Sequence, residues 1–324
     1  MKQFVLRCAL AVFTGAVMAP VVWAAPGYSF QTVISPGDPA FTQLLGINNS
    51  GTIAGYFGDG SVVPNNGFTL VLPNSYTPEN FPGSTQTQVI GINNTGWTAG
   101  FYVDSAMPGV THGFTYNGSF TNVDAPGTAF NQILGINDGF TAVGYSSLDP
   151  TGMTSQKSYM VSGTTFTYLD GFLPVGVGNN QAVGINNAGL VVGFYADSIG
   201  VLHGYLFNGA TATTLDYMGG MGTQAFGINN KGEIVGDYTD SMGVMHGFTY
   251  QGGIWSTVDD PAGVPGSTVI NGVNDLGQIV GFYVDANGNT DGFVGTPTPE
   301  PGSLVLMGSG ILGLAGVLSR KINL

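Results

Sequence analysis

Six copies of one short pattern run the length of this chain, and a fixed-period repeat constrains the fold more than any local motif. The copies are Gly46-Ile47-Asn48, Gly91-Ile92-Asn93, Gly135-Ile136-Asn137, Gly184-Ile185-Asn186, Gly227-Ile228-Asn229 and Gly272-Val273-Asn274. Their central residues are spaced by 45, 44, 49, 43 and 45 positions. Eight residues further on, every copy has a glycine: Gly55, Gly100, Gly144, Gly193, Gly236 and Gly281.

Each unit reads as four short strands. The first ends at Gly-Ile-Asn, where an Asn/Gly-rich turn supplies the positive φ of a tight hairpin. The second is apolar nearly throughout, as in Leu190-Val191-Val192-Gly193-Phe194-Tyr195, which predicts a strand covered on both faces. After a turn bearing an aspartate, the third carries His-Gly-aromatic, as in His112-Gly113-Phe114, and the fourth resembles Phe120-Thr121-Asn122-Val123-Asp124. Four strands in ~45 residues is the size of a β-propeller blade.

The sixth unit stops after its third strand, because Phe293-Val294 runs into Thr296-Pro297. Its missing strand is matched at the other end by Phe30-Gln31-Thr32-Val33, which precedes the first unit. A chain that borrows its first strand to finish its last sheet closes on itself, leaving no open edge, whereas a linear stack needs caps at both ends. The expectation is an all-β, six-bladed β-propeller of about four strands per blade, closed by the N-terminal strand. The unit resembles the extracellular HAF repeat, with its Gly-Ile-Asn-x-x-Gly-x-(Val/Ile)-(Val/Ala)-Gly pattern and later His-Gly-Phe, from Tyr28 to Val294. Unit 3 departs from it. Asn137-Asp138-Gly139 brings the glycine one residue early, Gly144-Tyr145-Ser146 lacks the usual aromatic pair, and Lys157-Ser158 replaces His-Gly. The resemblance implies a surface location and a propeller-like fold, and carries no catalytic residue to any position.

The two ends of the chain read as addresses. Residues 1–24 have Lys2 and Arg7 ahead of an apolar run, and small Ala24 and Ala25 mark the cleavage point of a signal helix. Cys8, the sole cysteine, leaves with that segment, so the body forms no disulfide. At the other end Pro299-Glu300-Pro301 closes a linker (296–301), and residues 302–324 hold a hydrophobic helix followed by Arg320-Lys321. A run of this length approaches the ~17 to 25 residues that cross a bilayer, with the trailing cations on the cytoplasmic side. This arrangement resembles the PEP-CTERM sorting signal of Gram-negative bacteria. The resemblance implies transient membrane insertion, an exosortase-type membrane protease as partner, and a body (25–295) delivered to the cell envelope, cell surface or extracellular space.

Four of the six basic residues lie in these targeting segments, leaving Lys157 and Lys231 against 18 acids once Glu300 is set aside, a body charge of 2 − 18 = −16. Such a body repels nucleic acid and anionic lipid. The three histidines, His112, His203 and His246, hold equivalent places on different units, too far apart for one tetrahedral metal site, and read as hairpin-positioning groups bonded to backbone. The Asn of each Gly-Ile-Asn either folds back on its own turn or lines one end of the ring for a sugar, and turn chemistry suffices. Asp285, Asn287, Asn289 and Asp291 alternate oxygen ligands around a glycine in the manner of a Ca²⁺ loop, with a solvated hairpin as the plainer reading and no other cofactor implied. Lys157, Lys231, Glu233, Asp237 and Asp149 are the polar residues that interrupt the repeat, and a solvated turn and strand ends account for Lys231, Glu233 and Asp237. No catalytic set converges. The expected function is a non-enzymatic, surface-sorted structural, adhesive or glycan-binding protein of the extracellular matrix. Its rivals are a propeller-borne hydrolase or lyase acting on exopolysaccharide, and a Ca²⁺-dependent binding module.

Overall fold

The computed structural model describes residues 27–107, 109–174 and 178–298, so the signal segment with Ala24 and Ala25 and the segment from Pro299 onward, with both expected helices, lie outside the described residues. Strand β1 (Tyr28–Val33) comes first. Unit 1 follows as β2 (Thr42–Ile47), β3 (Thr52–Phe57), β4 (Asn66–Val71) and β5 (Ser75–Pro78). Unit 2 is β6 (Ser84–Ile92), β7 (Thr98–Asp104), β8 (Thr111–Tyr116) and β9 (Phe120–Asn122), and unit 3 is β10 (Phe130–Ile136), β11 (Thr141–Ser147), β12 (Lys157–Ser162) and β13 (Thr165–Tyr168). Unit 4 is β14 (Asn180–Ile185), β15 (Val191–Ala196), β16 (Leu202–Phe207) and β17 (Ala212–Leu215), and unit 5 is β18 (Gly222–Ile228), β19 (Ile234–Thr239), β20 (Met245–Gln251) and β21 (Ile254–Thr257). Unit 6 contributes β22 (Val269–Val273), β23 (Ile279–Val284) and β24 (Thr290–Pro297). Among the described residues the one helical element is a single 3₁₀ turn at Asp170–Phe172, and no helix is long and apolar enough to cross a membrane.

The last sheet has the order β1-β24-β23-β22, so the first strand completes it. Tyr28 stands opposite Pro297 and Thr32 opposite Phe293, and the Phe30 ring meets Phe293 edge-on with centroids 5.6 Å apart. Units 1, 4 and 5 are also separate four-stranded sheets. Units 2 and 3 depart from the expected six separate blades, being joined into one eight-stranded sheet. The join is the single parallel pair Thr111–Phe130. The short β9 covers only Phe114 to Tyr116 of β8, and Thr111 lies outside that pairing. The equivalent pair Phe41–Thr290 links unit 6 to unit 1 as an isolated bridge.

The core is divided among the gaps between neighbouring units. Ala54, Ala99, Val143, Val192, Val235 and Val280, each just before the glycine of a second strand, are at most 0 % exposed and belong to the cluster formed by the next unit. Val280 of unit 6 packs with Leu44, Ile53 and Phe68 of unit 1, so the packing closes as the hydrogen bonding does. Burying a valine, leucine, isoleucine or phenylalanine of these clusters contributes roughly 1.5 to 3 kcal/mol relative to leaving it in water.

The glycines of the second strands are fixed by close approach. Each inner strand carries a register irregularity just before its Gly-Ile, as between Ala182 and Gly184. A β-carbon added at Gly193 would overlap the Gln181 carbonyl oxygen and lie 2.8 Å from the Tyr205 hydroxyl. Gly193→Ala should therefore cost about 3 kcal/mol or more, because backbone has to move. Gly189→Ala, at a turn with φ 77° and open space around it, should cost only ~1 to 2 kcal/mol. Urea unfolding of the two variants checks the difference, and equal losses would refute the close-approach account.

Candidate functional site

The turns between first and second strands converge on the ring axis, where two hydrogen-bond circuits run through all six units. In the inner circuit each Asn Nδ2 donates to the backbone carbonyl of the next unit's Asn, in the order Asn48, Asn93, Asn137, Asn186, Asn229, Asn274 and back to Asn48, over 2.9 to 3.1 Å. The same side chain's Oδ1 caps its own turn. In Asn186 it accepts from the N–H of Ala188 and of Leu190, both at 3.0 Å. All six asparagines are buried, and both ends of each amide are engaged.

The next residue of each turn makes the second circuit. Asn49, Asn94, Asp138, Asn187, Asn230 and Asp275 each donate a backbone N–H to the side-chain Oδ1 of the following unit's residue, at 2.7 to 2.9 Å, and Asp275 returns to Asn49. The two aspartates are three units apart on the ring. Asp138 Oδ2 accepts from Asn94 and Asn187, and Asp275 Oδ2 accepts from Asn49 and Asn230. Burial pushes both carboxyls up, but these amide donors outweigh it and hold them below the usual carboxylate range. Beneath lies an axial cavity of about 100 Å³, lined by Ile47, Ile92, Ile136, Ile185, Ile228 and Val273 and by the glycine before each. Polar groups at this mouth are bonded to one another, so the arrangement acts first as a clasp holding the ring shut.

The histidines do not bond backbone. His112 Nδ1 meets Asp124 Oδ2 at 2.6 Å, His203 meets Asp216 at 2.9 Å and His246 meets Asp259 at 2.7 Å. Each ring also stacks on a second-strand tyrosine, Tyr102, Tyr195 or Tyr238, with centroids 5.2 to 5.3 Å apart. In unit 3 the same tie is an ion pair, Lys157 Nζ to Asp170 Oδ2 at 3.1 Å. These pairs staple third strands to the chain just past the fourth. Their recurrence with a spacing of 12 or 13 residues was the sequence signal for the aspartate partner, and reading the histidines alone missed it.

In the loop after β23 the nitrogens of Asn287 and Asn289, not their oxygens, face Asp285. Asp285 Oδ1 accepts both backbone N–H groups at 2.8 Å, and Oδ2 accepts the two side-chain amides at 3.0 and 3.1 Å. The Asn289 N–H, with the other donors, holds the Asp285 carboxyl below its ordinary value. Asp291 stands apart on β24, its Oδ1 buried with no hydrogen-bond partner among the described residues. No cluster of three or more His, Cys, Asp or Glu suited to a metal ion occurs among the described residues.

Glu233 and Asp237 correct the expectation of solvated strand ends. Glu233 Oε2 accepts from Asn229 Nδ2 at 3.0 Å, and burial pushes its carboxyl up. Asp237 sits inside β19, 7 % exposed, where units 4 and 6 carry Phe194 and Phe282, and burial pushes its carboxyl up to about 7. Glu79 was also missed. It is buried at the step from unit 1 to unit 2, with hydroxyl donors Thr98 at 2.7 Å and Thr69 at 3.2 Å, and burial raises its carboxyl. Glu79 and Glu233 are served by separate partners, and neither shares a partner with Asp237.

The PEP-CTERM protein-sorting motif matches residues 297–321, beginning at the last residue of β24. Among solved structures, the SapL1 lectin in complex with α-methyl fucoside is 11 % identical, with a TM-score of 0.51 over 81 % of this chain and 97 % of that one. TolB from Acinetobacter baumannii is 12 % identical, with a TM-score of 0.52 over 76 % of this chain and 64 % of that one. The chain is an all-β propeller. A lectin of Aleuria aurantia with a six-bladed β-propeller fold is 13 % identical over 82 % of this chain and 99 % of its own, at a TM-score of 0.48 too low to add to that. Likeness at these identities extends to the fold alone. A comparison with curated proteins finds no match.

Two measurements check the site. Asn186→Ala leaves buried N–H and C=O groups unpaired and should lower stability by about 3 kcal/mol, against ~1 kcal/mol for the exposed Asn187→Ala, as read from denaturant midpoints. Asp237 has a folded-state pKa above its unfolded value, so its contribution is greatest at acid pH and is lost as pH rises through about 7. Asp237→Asn should therefore gain on the native chain between pH ~4 and pH 8, by on the order of 3 kcal/mol, and a gain that stays flat with pH would contradict the assignment.

Proposed function

We propose that this protein is exported and sorted to the cell surface, where it serves as a non-enzymatic, six-bladed propeller of HAF-type units with a glycan-binding, adhesive or structural role in the extracellular matrix. The count of six takes the eight-stranded sheet as two blades joined by one pair. The observation that carries the reading is the junction of ring and sorting motif. Pro297 opens the motif while still paired with Tyr28, and Thr298 N–H donates to the Gly27 carbonyl at 2.8 Å. A cut at Pro299-Glu300-Pro301 therefore falls just outside the last ring-closing bond, and cleavage between Ala24 and Ala25 falls just outside the first. Both processing steps can be completed without opening a sheet. In this scheme residues 302–319 insert transiently in the membrane, Arg320 and Lys321 orient them, and an exosortase-type protease is the partner.

Binding rather than chemistry is favoured by how the carboxylates are used. Asp124, Asp216 and Asp259 hold histidines, and Asp138 and Asp275 hold the axial circuit. The hydrolase or lyase alternative has one observation in its favour, the carboxyl of Asp237 poised near neutrality, but that group is buried within a sheet. A Ca²⁺ role for Asp285, Asn287, Asn289 and Asp291 would need both amides to turn their oxygens inward.

Replacing Pro299-Glu300-Pro301 by alanines in the producing cell should leave a longer form in the membrane fraction, seen by immunoblot after fractionation. Unaltered size and release in that variant would remove the sorting claim.

A further inference from the structure

The repeat breaks its own rule at one turn. In five units the residue four places after the Ile or Val of Gly-Ile-Asn is a glycine, Gly51, Gly96, Gly189, Gly232 or Gly277, with φ from 76° to 86°. Unit 3 has Phe140 there, at φ 59°. Its N–H donates to the Asn137 carbonyl at 3.0 Å, as the Gly51 N–H does to Asn48, so the turn is kept and an aromatic residue is forced into the left-handed region. That costs ~1 to 2 kcal/mol, and strain of this kind persists where something else is served.

The ring so placed is 47 % exposed and lies against Trp97 of unit 2, with centroids 4.7 Å apart and planes inclined by 48°. The two rings border a cleft of about 550 Å³ between units 2 and 3, with Phe166 on one wall and Thr121, Asn122 and Asp124 on the other. Asn122 Oδ1 accepts from the Tyr102 hydroxyl at 3.2 Å, while its NH₂ has no partner among the described residues. Asp124 is the one charged residue on the walls, and both its oxygens are taken, by His112 and by the Gly113 N–H at 3.0 Å. Aromatic faces beside a few amide and hydroxyl groups suit a ligand with an apolar C–H face and hydroxyl edges. A cleft without a cation on so acidic a body disfavours an anionic one.

We infer that the cleft between units 2 and 3 binds a neutral pyranose residue of a polysaccharide, stacked on Trp97 and Phe140 and hydrogen-bonded by Thr121 and Asn122. The inference rests on the glycan-binding reading above and gives it a place and a ligand class.

The full chain is applied to immobilised neutral oligosaccharides and to uronate-containing ones, beside Phe140→Gly and Trp97→Thr. Phe140→Gly restores the residue used by the other five turns, and Trp97→Thr introduces the residue found at the equivalent Thr52, so both should fold with melting temperatures no lower than a few degrees below the native chain. The expected result is binding to neutral saccharides that falls at least tenfold in each variant. Binding that both variants retain puts the glycan elsewhere and overturns this inference while leaving the glycan-binding reading intact. Preference for uronates overturns the ligand class. Failure of the native chain to bind any saccharide removes the glycan-binding reading and this inference with it.

Discussion

A ring of sheets is only as stable as its weakest seam, and in this protein every seam is sewn by the same amide. The asparagine of each Gly-Ile-Asn caps its own turn with one end and reaches the next unit's backbone with the other, so local and inter-unit structure form together. Buried in that place, an amide with both ends bonded is stable, and one with either end unpaired is costly. The apolar side chains follow the same circular logic, one unit's second strand packing into the sheet of the next.

Much of this was written in the chain. Strand positions, the turn role of the asparagines and the exchange of β1 into the last sheet follow from period, pattern and chain ends, because each depends on local chemistry repeated in place. The partners of His112, His203 and His246 did not come out, although the aspartates recur at near-constant distance, because a histidine alone says nothing about which neighbouring strand it faces. Asp237 was misplaced for a similar reason. In sequence it stands near a turn lysine and reads as polar surface, whereas the register of β19 sends it to the position that the other units fill with phenylalanine or tyrosine. The outer circuit of Asn49, Asn94, Asp138, Asn187, Asn230 and Asp275 required knowing that six distant turns meet at one axis.

Unit 3 shows what a repeat tolerates. Lys157 and Asp170 replace a histidine pair without loss of the staple, since an ammonium supplies the same donor to the same carboxylate. Phe140 keeps its turn's hydrogen bond while giving up the easy backbone of glycine. Asn137 caps that turn through the Thr141 N–H. The circuit around the axis is unbroken through all of these changes, including the one in the inner turn itself, so what the ring requires of that turn is its asparagine and the bonds that it makes.

The hydroxyls of Thr32 and Tyr283 lie 2.9 Å apart although 251 residues separate them. Synthesis makes β1 among the earliest of these strands and its partner β24 last, so for most of the time a ribosome spends on the body, the earliest strand waits without a mate. Contacts between such remote segments form late and slowly. A polypeptide broken off anywhere before β24 is left with raw sheet edges, prone to stick to its neighbours. Fastening the circle with its two ends thus doubles as an inspection of length: only a body made in full acquires the closed shape.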